Sequence, residues 1–282
     1  MNFMKTAVLL AAMTGLLVAI GFYYGGIEMA YIGFAIGLVM NFVSYWFSDK
    51  IVLKMYHARQ VDQYDAPQLY GVVEKLARKA GLPMPKVYII PTDTPNAFAT
   101  GRNPSHASVA ATEGILRLLN ADELEGVMSH ELAHVKHRDI LICTIAATLG
   151  GAINLLARVF MYGGGRSRNN KGGGTAIIGL VLMILAPIAA MLIQMAISRS
   201  REYAADAAGA RICGKPMALA SALNRLELGS QRVPMDMGDP ATSSLFIVNP
   251  FKAGFMAKLF STHPPMDERI KRLRDMDRGR AV

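Results

Sequence analysis

Four long apolar segments alternate with polar sequence along this chain. The first two cover residues 6–24 and 29–47, the other two cover residues 140–162 and 175–197, and Arg158 is the one charged residue in all four. Each segment has the ~20 residues that a helix needs to cross a bilayer. The pattern therefore predicts four hydrophobic helices arranged as two hairpins.

The polar parts of the chain, residues 48–139 and 198–282, have the combined length of one domain, and we expect them to pack against each other. A helix is predicted over residues 65–81, because its apolar positions recur at helical spacing and Gly81 is followed by Pro83. Five further elements are predicted: strands at residues 86–90, 98–100 and 107–111, and helices at residues 217–228 and 265–277. The predicted fold is mainly α with a small β-sheet.

A helix is also predicted over residues 121–135, and it contains the sequence HELAH at residues 130–134. Asn120 and Glu123 have the spacing of a capping box at its start. Histidines four residues apart share one helix face, so both imidazoles can reach one Zn²⁺ at about 2.0–2.1 Å, with Glu131 beside it as a base for water. The alternative is a solvated helix face that happens to contain two histidines.

Two histidines leave a zinc ion short of ligands, since catalytic sites usually have three protein ligands and one open position. His137 lies one turn beyond His134, and three ligands in a row along a straight helix cannot surround one ion. The segment at residues 198–206 has Glu202 and Asp206 four apart on one helix face. One carboxylate can bind the metal while the other orients a ligand histidine. A solvated acidic pair is the alternative.

Composition agrees with a membrane protein. The chain is 52% apolar and 18% charged, with a mean hydropathy of +0.28, which is too apolar for an ordinary soluble domain. A secretory signal peptide is the alternative for residues 1–24. It fits less well, because a second apolar segment follows after a few residues and no convincing cleavage site is present.

The positions of lysine and arginine predict the orientation of the first hairpin. Lys5 precedes it and Lys50, Lys54 and Arg59 follow it, whereas the turn inside it has only Glu28. The positive-inside rule then places both of its ends in the cytoplasm. The net charge of +9 fits attraction to anionic headgroups, and without a nucleic-acid motif we expect no nucleic-acid partner. The two cysteines imply no disulfide framework.

Several separate motifs resemble the HtpX family of membrane zinc peptidases, which are distant relatives of the CAAX prenyl proteases. They span nearly the whole chain in the expected order: NAFATG at residues 96–101, ATEG at residues 111–114, HELAH at residues 130–134, REYAAD at residues 201–206 and STHPPMDERI at residues 261–270.

The resemblance implies a gluzincin site that holds one Zn²⁺ per chain. Six side chains would have defined roles: His130, His134 and Glu202 as zinc ligands, Glu131 as the catalytic base, Asp206 as the partner of a ligand histidine, and His263 as a donor to the oxyanion. From the residues alone, a histidine before two prolines is more often part of a turn. The cleft would be lined by Asn96, Ala97, Phe98 and Ala99, which could bind extended substrate by strand addition.

The implied organisation has four parts: an N-terminal transmembrane hairpin (1–48), the first part of a catalytic domain (49–139), a second hydrophobic hairpin (140–197) with a Gly-rich loop at 163–174, and a second catalytic part (198–282) with the third zinc ligand. We expect the helix of HELAH to continue without interruption into the second hairpin. We expect that hairpin to cross the membrane twice, although Arg166, Arg168 and Lys171 would then lie outside, against the positive-inside tendency. The alternative is two apolar helices that do not cross.

The expected function is zinc-dependent cleavage of misfolded or damaged membrane proteins at the cytoplasmic face of the inner membrane, as part of protein quality control. The expected partners are membrane-protein and unfolded polypeptide substrates and the lipid bilayer, with a regulatory membrane subunit or a homo-oligomer left open. Two alternatives remain. One is a non-catalytic membrane adaptor with a structural zinc ion, and the other is a prenyl-dependent CAAX-type protease.

Overall fold

A computed structural model describes residues 2–149, 199–235, 240–250 and 264–280. Within these ranges it confirms the mainly helical fold with a small sheet. The helices are α1 (Asn2–Met55), α2 (Pro67–Ala80), α3 (Glu113–Leu118), α4 (Ala121–Lys136), α5 (Ile140–Leu149), α6 (Arg199–Cys213), α7 (Pro216–Arg232) and α8 (Met266–Asp277). The strands are β1 (Arg59–Val61), β2 (Lys86–Ile90), β3 (Ala97–Gly101) and β4 (Ala107–Thr112).

The first two apolar segments form the two arms of α1. The chain reverses at Gly26, whose φ of 65° lies in the left-handed region that glycine adopts without strain. The arms pack closely, because a Cβ added at Gly33 would lie 2.4 Å from the carbonyl oxygen of Leu17. By length and composition both arms, Thr6–Tyr23 and Gly25–Met55, are suited to cross a membrane. The predicted second hairpin, including its Gly-rich loop, lies outside the described residues apart from α5.

The four strands form one sheet in the order β1-β2-β4-β3. β2 and β4 are parallel, and the two outer pairs are antiparallel. Strands β2, β3 and β4 correspond to the predicted ones, whereas the three-residue β1 was not predicted. β3 lies at one edge of the sheet, with Ala97 opposite Ala111 and Ala99 opposite Val109, and this edge lies beside α4.

Both polar parts of the chain contribute to one hydrophobic core, as the sequence predicts. Val127 and Met128 of α4, Leu223 of α7 and Leu273 of α8 belong to the same cluster, and each has at most 1% of its surface exposed. The close approach of α4 and α7 depends on Gly126, because a Cβ there would lie 2.9 Å from the Leu219 backbone. The helix that contains HELAH is therefore closely packed in the interior of the domain.

The start of α4 is the predicted capping box, and its end differs from the expectation. The Asn120 side chain accepts a hydrogen bond from the Glu123 amide at 2.9 Å, and the Glu123 carboxylate accepts one from the Asn120 amide at 3.0 Å. α4 does not continue into the second hairpin, because Arg138 adopts a left-handed φ of 58° and turns the chain before α5. This turn brings Asp139 back towards the last turn of α4.

Candidate metal centre

The two histidines of HELAH face one another across one turn of α4. Their Nε2 atoms are 3.2 Å apart, and the two rings are nearly perpendicular at 89°. Two ligand atoms at about 2.1 Å from one tetrahedral ion lie about 3.4 Å apart. The observed separation thus suits two nitrogens that share one metal ion.

Glu202 approaches the same point from α6. Its carboxylate oxygens lie 3.7 Å from His130 Nε2 and 3.5 Å from His134 Nε2. α6 can come this close because of Gly209, where a Cβ would lie 2.8 Å from the His130 backbone nitrogen. One ligand atom from each of the three residues lies within 4.8 Å of the others. The set is two imidazole nitrogens and one carboxylate oxygen, which is a known ligand set of catalytic zinc sites.

A carboxylate hydrogen-bonds the second ring nitrogen of each histidine. Asp206 Oδ1 lies 2.9 Å from His130 Nδ1, in the arrangement that the family resemblance implies for Asp206. Asp139 Oδ2 lies 3.4 Å from His134 Nδ1, and this carboxylate was not predicted. Partners of this kind fix the ring orientation and direct Nε2 towards the metal position. Both side chains are almost completely buried.

Arg269 is a second residue of the site that was not predicted. It belongs to α8, it has no exposed surface, and its guanidinium donates two hydrogen bonds of 2.7 Å to the Asp206 carboxylate. Nη1 also lies 3.8 Å from Glu202. Burial alone would raise the pKa of Asp206, but the Arg269 charge and hydrogen bonds, together with His130, lower it below its usual value. Asp206 therefore accepts hydrogen bonds as a carboxylate.

Glu131 lies between the two histidines in sequence and is 2% exposed. Burial raises its pKa to about 8, and the Glu202 carboxylate adds to the rise, although the His134 charge and a hydrogen bond from the Ala99 amide oppose it. Burial lowers the pKa of His134, but Glu202, Asp139 and Glu131 outweigh that effect and raise it to about 9. Before metal binding, Glu131 and His134 are thus both protonated at neutral pH.

The residues predicted to line the substrate cleft are present beside the centre, but most are covered. Asn96 is fully buried, and its side-chain nitrogen donates to the Val248 carbonyl at 2.6 Å. The Ala97 carbonyl accepts a hydrogen bond of 3.3 Å from the Ile247 amide. Phe98 is also fully buried, and Ala99 lines the cavity at the metal position. His263 lies outside the described residues.

Only a weak sequence signal pointed to the two missed residues. Asp139 is five residues after His134, a spacing that a straight helix would place away from the imidazole, and the left-handed turn at Arg138 changes this. Arg269 is 63 residues from Asp206 in the chain, so no local pattern relates them. The one available hint was an arginine inside the quoted STHPPMDERI motif.

Comparisons with known proteins agree with this geometry. The chain matches the model of "Peptidase family M48" over residues 63–277. It is 57% identical over 274 residues to "Protease HtpX homolog" of Thermococcus kodakarensis, covering 96% of this chain and 94% of that protein. It is 56% identical over 277 residues to the protein of the same name from Methylibium petroleiphilum, covering 98% of each.

A solved structure has a similar fold. "Crystal Structure of S. mikatae Ste24p" superposes with a TM-score of 0.52 at 19% sequence identity. The match covers 96% of this chain and 65% of that chain, so this chain spans slightly less than two thirds of its length. At this identity the likeness supports the fold alone.

Proposed function

The chain belongs to peptidase family M48 and is a membrane-bound metalloprotease of the HtpX type, and from the geometry of its centre we propose that it is a zinc endopeptidase whose ligands are His130, His134 and Glu202. The predicted resemblance is thereby confirmed at the level of family and enzyme class. The convergence of two Nε2 atoms and one carboxylate beside Glu131 is the observation that most supports the proposed centre.

The donor set fits zinc, and the surrounding residues fit the chemistry of amide hydrolysis. When bound, Zn²⁺ would lower the pKa of water and polarise the scissile carbonyl. Glu131 accepts a proton from the attacking water and passes it to the leaving amine. Its raised pKa of about 8 in the metal-free centre reflects a dry environment in which it can hold that proton between the two steps.

The remaining residues of the site orient these groups. Asp206 and Asp139 hold the ring planes of His130 and His134 through Nδ1, and Arg269 fixes Asp206. We assign to His263 the role of oxyanion donor, on the basis of the motif that it shares with Arg269. The outward edge of β3, from Ala97 to Ala99, is assigned to binding extended substrate.

The proposed substrates are misfolded or damaged membrane proteins and unfolded polypeptides, cleaved at the cytoplasmic face in protein quality control. The site supports this because α5, which begins six residues after His134, is apolar and forms the first part of the predicted second hairpin. We propose that this hairpin, within residues 140–197, crosses the membrane twice, so that the parts at 49–139 and 198–282 form one domain below the N-terminal hairpin of residues 1–48.

Substitution of the proposed base tests the mechanism. In the full chain, purified in detergent and loaded with zinc, Glu131→Gln should keep one zinc ion per chain and lose cleavage of an unfolded membrane protein. Asp122→Asn is the matched control, because Asp122 lies on the same helix with its side chain 65% exposed, and it should keep both properties. Cleavage retained in the Glu131→Gln variant would refute the assignment of the base.

The third ligand has its own test. Glu202→Ala should reduce zinc content below one ion per chain and weaken zinc affinity, whereas Glu227→Ala, on the next helix α7, should do neither. Unchanged stoichiometry and affinity in the Glu202→Ala variant would exclude it as a ligand.

Labelling tests the proposed topology. In a chain without its two natural cysteines, Ser167→Cys should react with a membrane-impermeant maleimide applied outside intact spheroplasts. Glu74→Cys, on α2 of the catalytic domain and with a 50% exposed native side chain, should react after the membrane is broken. Protection of the residue at position 167 in intact spheroplasts would contradict two crossings.

A further inference from the structure

Residues 245–248, called here the covering segment, lie on the substrate-facing edge of β3. The Ile247 amide donates to the Ala97 carbonyl at 3.3 Å, and the Asn96 side chain donates to the Val248 carbonyl at 2.6 Å. All four residues of the segment, Leu-Phe-Ile-Val, are buried, with at most 7% of their surface exposed. A piece of the chain itself thus occupies the place assigned to substrate.

Both outward backbone groups of Ala97 and the Ala99 amide already have partners within the chain. In an antiparallel pair, alternate residues direct their backbone groups to the neighbouring strand and away from it. The Asn96 carbonyl faces β4, where it accepts from the Thr112 amide at 3.0 Å, so Ala97 and Ala99 face outward. The Ala97 amide donates to the Asn96 side chain at 3.0 Å, its carbonyl accepts from Ile247, and the Ala99 amide donates to Glu131.

Little space remains at the metal position. The cavity bordered by His130, Glu131, Glu202 and the covering segment leaves a volume of about 20 Å³ in which the centre of a water molecule can lie. By the same measure, a site needs roughly 10–15 Å³ to hold one water molecule. The cavity therefore admits a water molecule beside the proposed base but not a peptide chain.

An aromatic contact holds the covering segment in place. The Phe246 ring packs edge-on against Tyr56 at 5.1 Å and against Phe98 at 5.3 Å between ring centroids. Tyr56 directly follows the last residue of α1, and Phe98 belongs to β3 itself. The segment is therefore anchored between the base of the membrane hairpin and the strand that it covers.

We propose that the covering segment is an internal occupant of the substrate-binding edge, which a substrate must displace, and that its Leu-Phe-Ile-Val sequence reflects the apolar peptide segments this edge accepts. The proposal rests on the proposed function, in which β3 binds substrate. Competition of this kind reduces the apparent affinity for substrate by the fraction of molecules in which the edge is free. It keeps the protease restrained until an apolar segment is available.

Peptide binding to the full chain tests the displacement. The zinc-loaded Glu131→Gln variant is used in detergent so that the probe is not cleaved. The probe is a fluorescent peptide with the sequence of residues 243–250. A control probe has serine in place of the four apolar residues. Phe246→Ala, added to this variant, should bind the apolar probe on the order of tenfold more tightly. Leu226→Ala, a buried truncation in the other core cluster, should bind it like the parent.

Hydrogen exchange gives a second measurement that needs no loosened variant. In the Glu131→Gln protein, the saturating apolar probe should lower the protection of the Ile247 amide on the order of tenfold, and the serine probe should leave it unchanged. Unchanged or increased protection with the apolar probe bound would overturn the proposal. So would equal affinity of the parent and the Phe246→Ala variant, or failure of both to bind.

The outcomes separate this proposal from the proposed function. If the binding and exchange experiments show no displacement but the zinc-loaded wild-type chain still cleaves polypeptides, only the proposal about the covering segment is refuted. Absence of zinc-dependent cleavage in the wild-type chain refutes the proposed function, and the binding and exchange results then describe a peptide site without catalysis.

Discussion

The Arg269 guanidinium forms two parallel hydrogen bonds of 2.7 Å with the Asp206 carboxylate, in a place where neither side chain has more than 4% of its surface exposed. Asp206 in turn lies 2.9 Å from Nδ1 of His130. A buried charge pair contributes little net stability in many proteins, but breaking one by removing a partner is costly. The pair thus connects α8 to a proposed metal ligand on α4.

Arg269→Lys should weaken zinc binding while the chain remains folded. Lysine keeps the positive charge but cannot form the two-point contact with Asp206, so the His130 ring loses a fixed partner. Loss of such outer partners typically costs about 10–100-fold in metal affinity. Competition with a chelator measures the affinity, and Arg272→Lys on the same helix is the control, since Arg272 is partly exposed and paired with Glu268. Equal zinc affinities for the two variants would contradict this positioning role.

Asp139→Asn should also lower zinc affinity by about 10–100-fold, because the His134 ring would lose its charged partner at Nδ1. The amide has nearly the same shape, so the helices should keep their positions, but the thermal transition of the metal-free protein should fall, because the largely buried His134 and Arg201 side chains lose a charged partner. Asp122→Asn serves as the control on the exposed side of α4. A zinc affinity within twofold of the wild type would show that Asp139 does not orient the ligand.

Local patterns predicted the parts of the site that lie on one helix and missed those that depend on long-range contacts. The HELAH pair, the Asn120 cap and the spacing of Glu202 and Asp206 follow helical geometry, which the sequence encodes over a few residues. The partner of Asp206 on α8, in contrast, is set by the packing of three helices. Coverage of the β3 edge by Ile247 likewise joins residues 150 positions apart, which no periodicity reveals.

Zinc binding should release protons at neutral pH and weaken as the pH falls. In the metal-free centre the pKa of His134 is raised to about 9, so its imidazole is protonated at pH 7.5 and must lose a proton to bind a metal. Zinc affinity should therefore increase with pH up to about 9. The raised pKa affects the stability of the metal-free fold in the opposite direction. His134 stabilises this fold fully below about pH 6.5, which is the pKa of a histidine in the unfolded chain, and the stabilisation is lost as the pH rises through about 9.

Calorimetry in two buffers of different ionisation enthalpy measures this release. At pH 7.5 at least one proton should leave per zinc ion bound, and the number should fall as the pH approaches 10. Heats of binding that do not depend on the buffer would show that the histidine is already neutral, contrary to the expected effect of Glu202, Asp139 and Glu131 on its pKa.

Gly209 determines how closely the two halves of the proposed metal centre approach, so Gly209→Ala should damage it. The added Cβ would lie 2.8 Å from the His130 nitrogen and 2.9 Å from its Cα, and because these are backbone atoms, α6 must move away from α4. Overpacking of this kind costs about 1–3 kcal/mol, and the shift would also separate Glu202 from the two histidines. We expect at least about tenfold weaker zinc binding, together with a lower free energy of unfolding, because 1.4 kcal/mol corresponds to a factor of ten.

Gly71→Ala is the matched control, since Gly71 lies within α2 and a Cβ there would meet no atom within 4 Å. Alanine is favoured over glycine in a helix interior by about 1 kcal/mol, so this variant should gain stability and keep its zinc affinity. Denaturant unfolding and chelator competition on both variants compare the effects directly. If Gly209→Ala also gained stability and kept full zinc affinity, the contact between α6 and α4 would not set the spacing of Glu202 from His130 and His134.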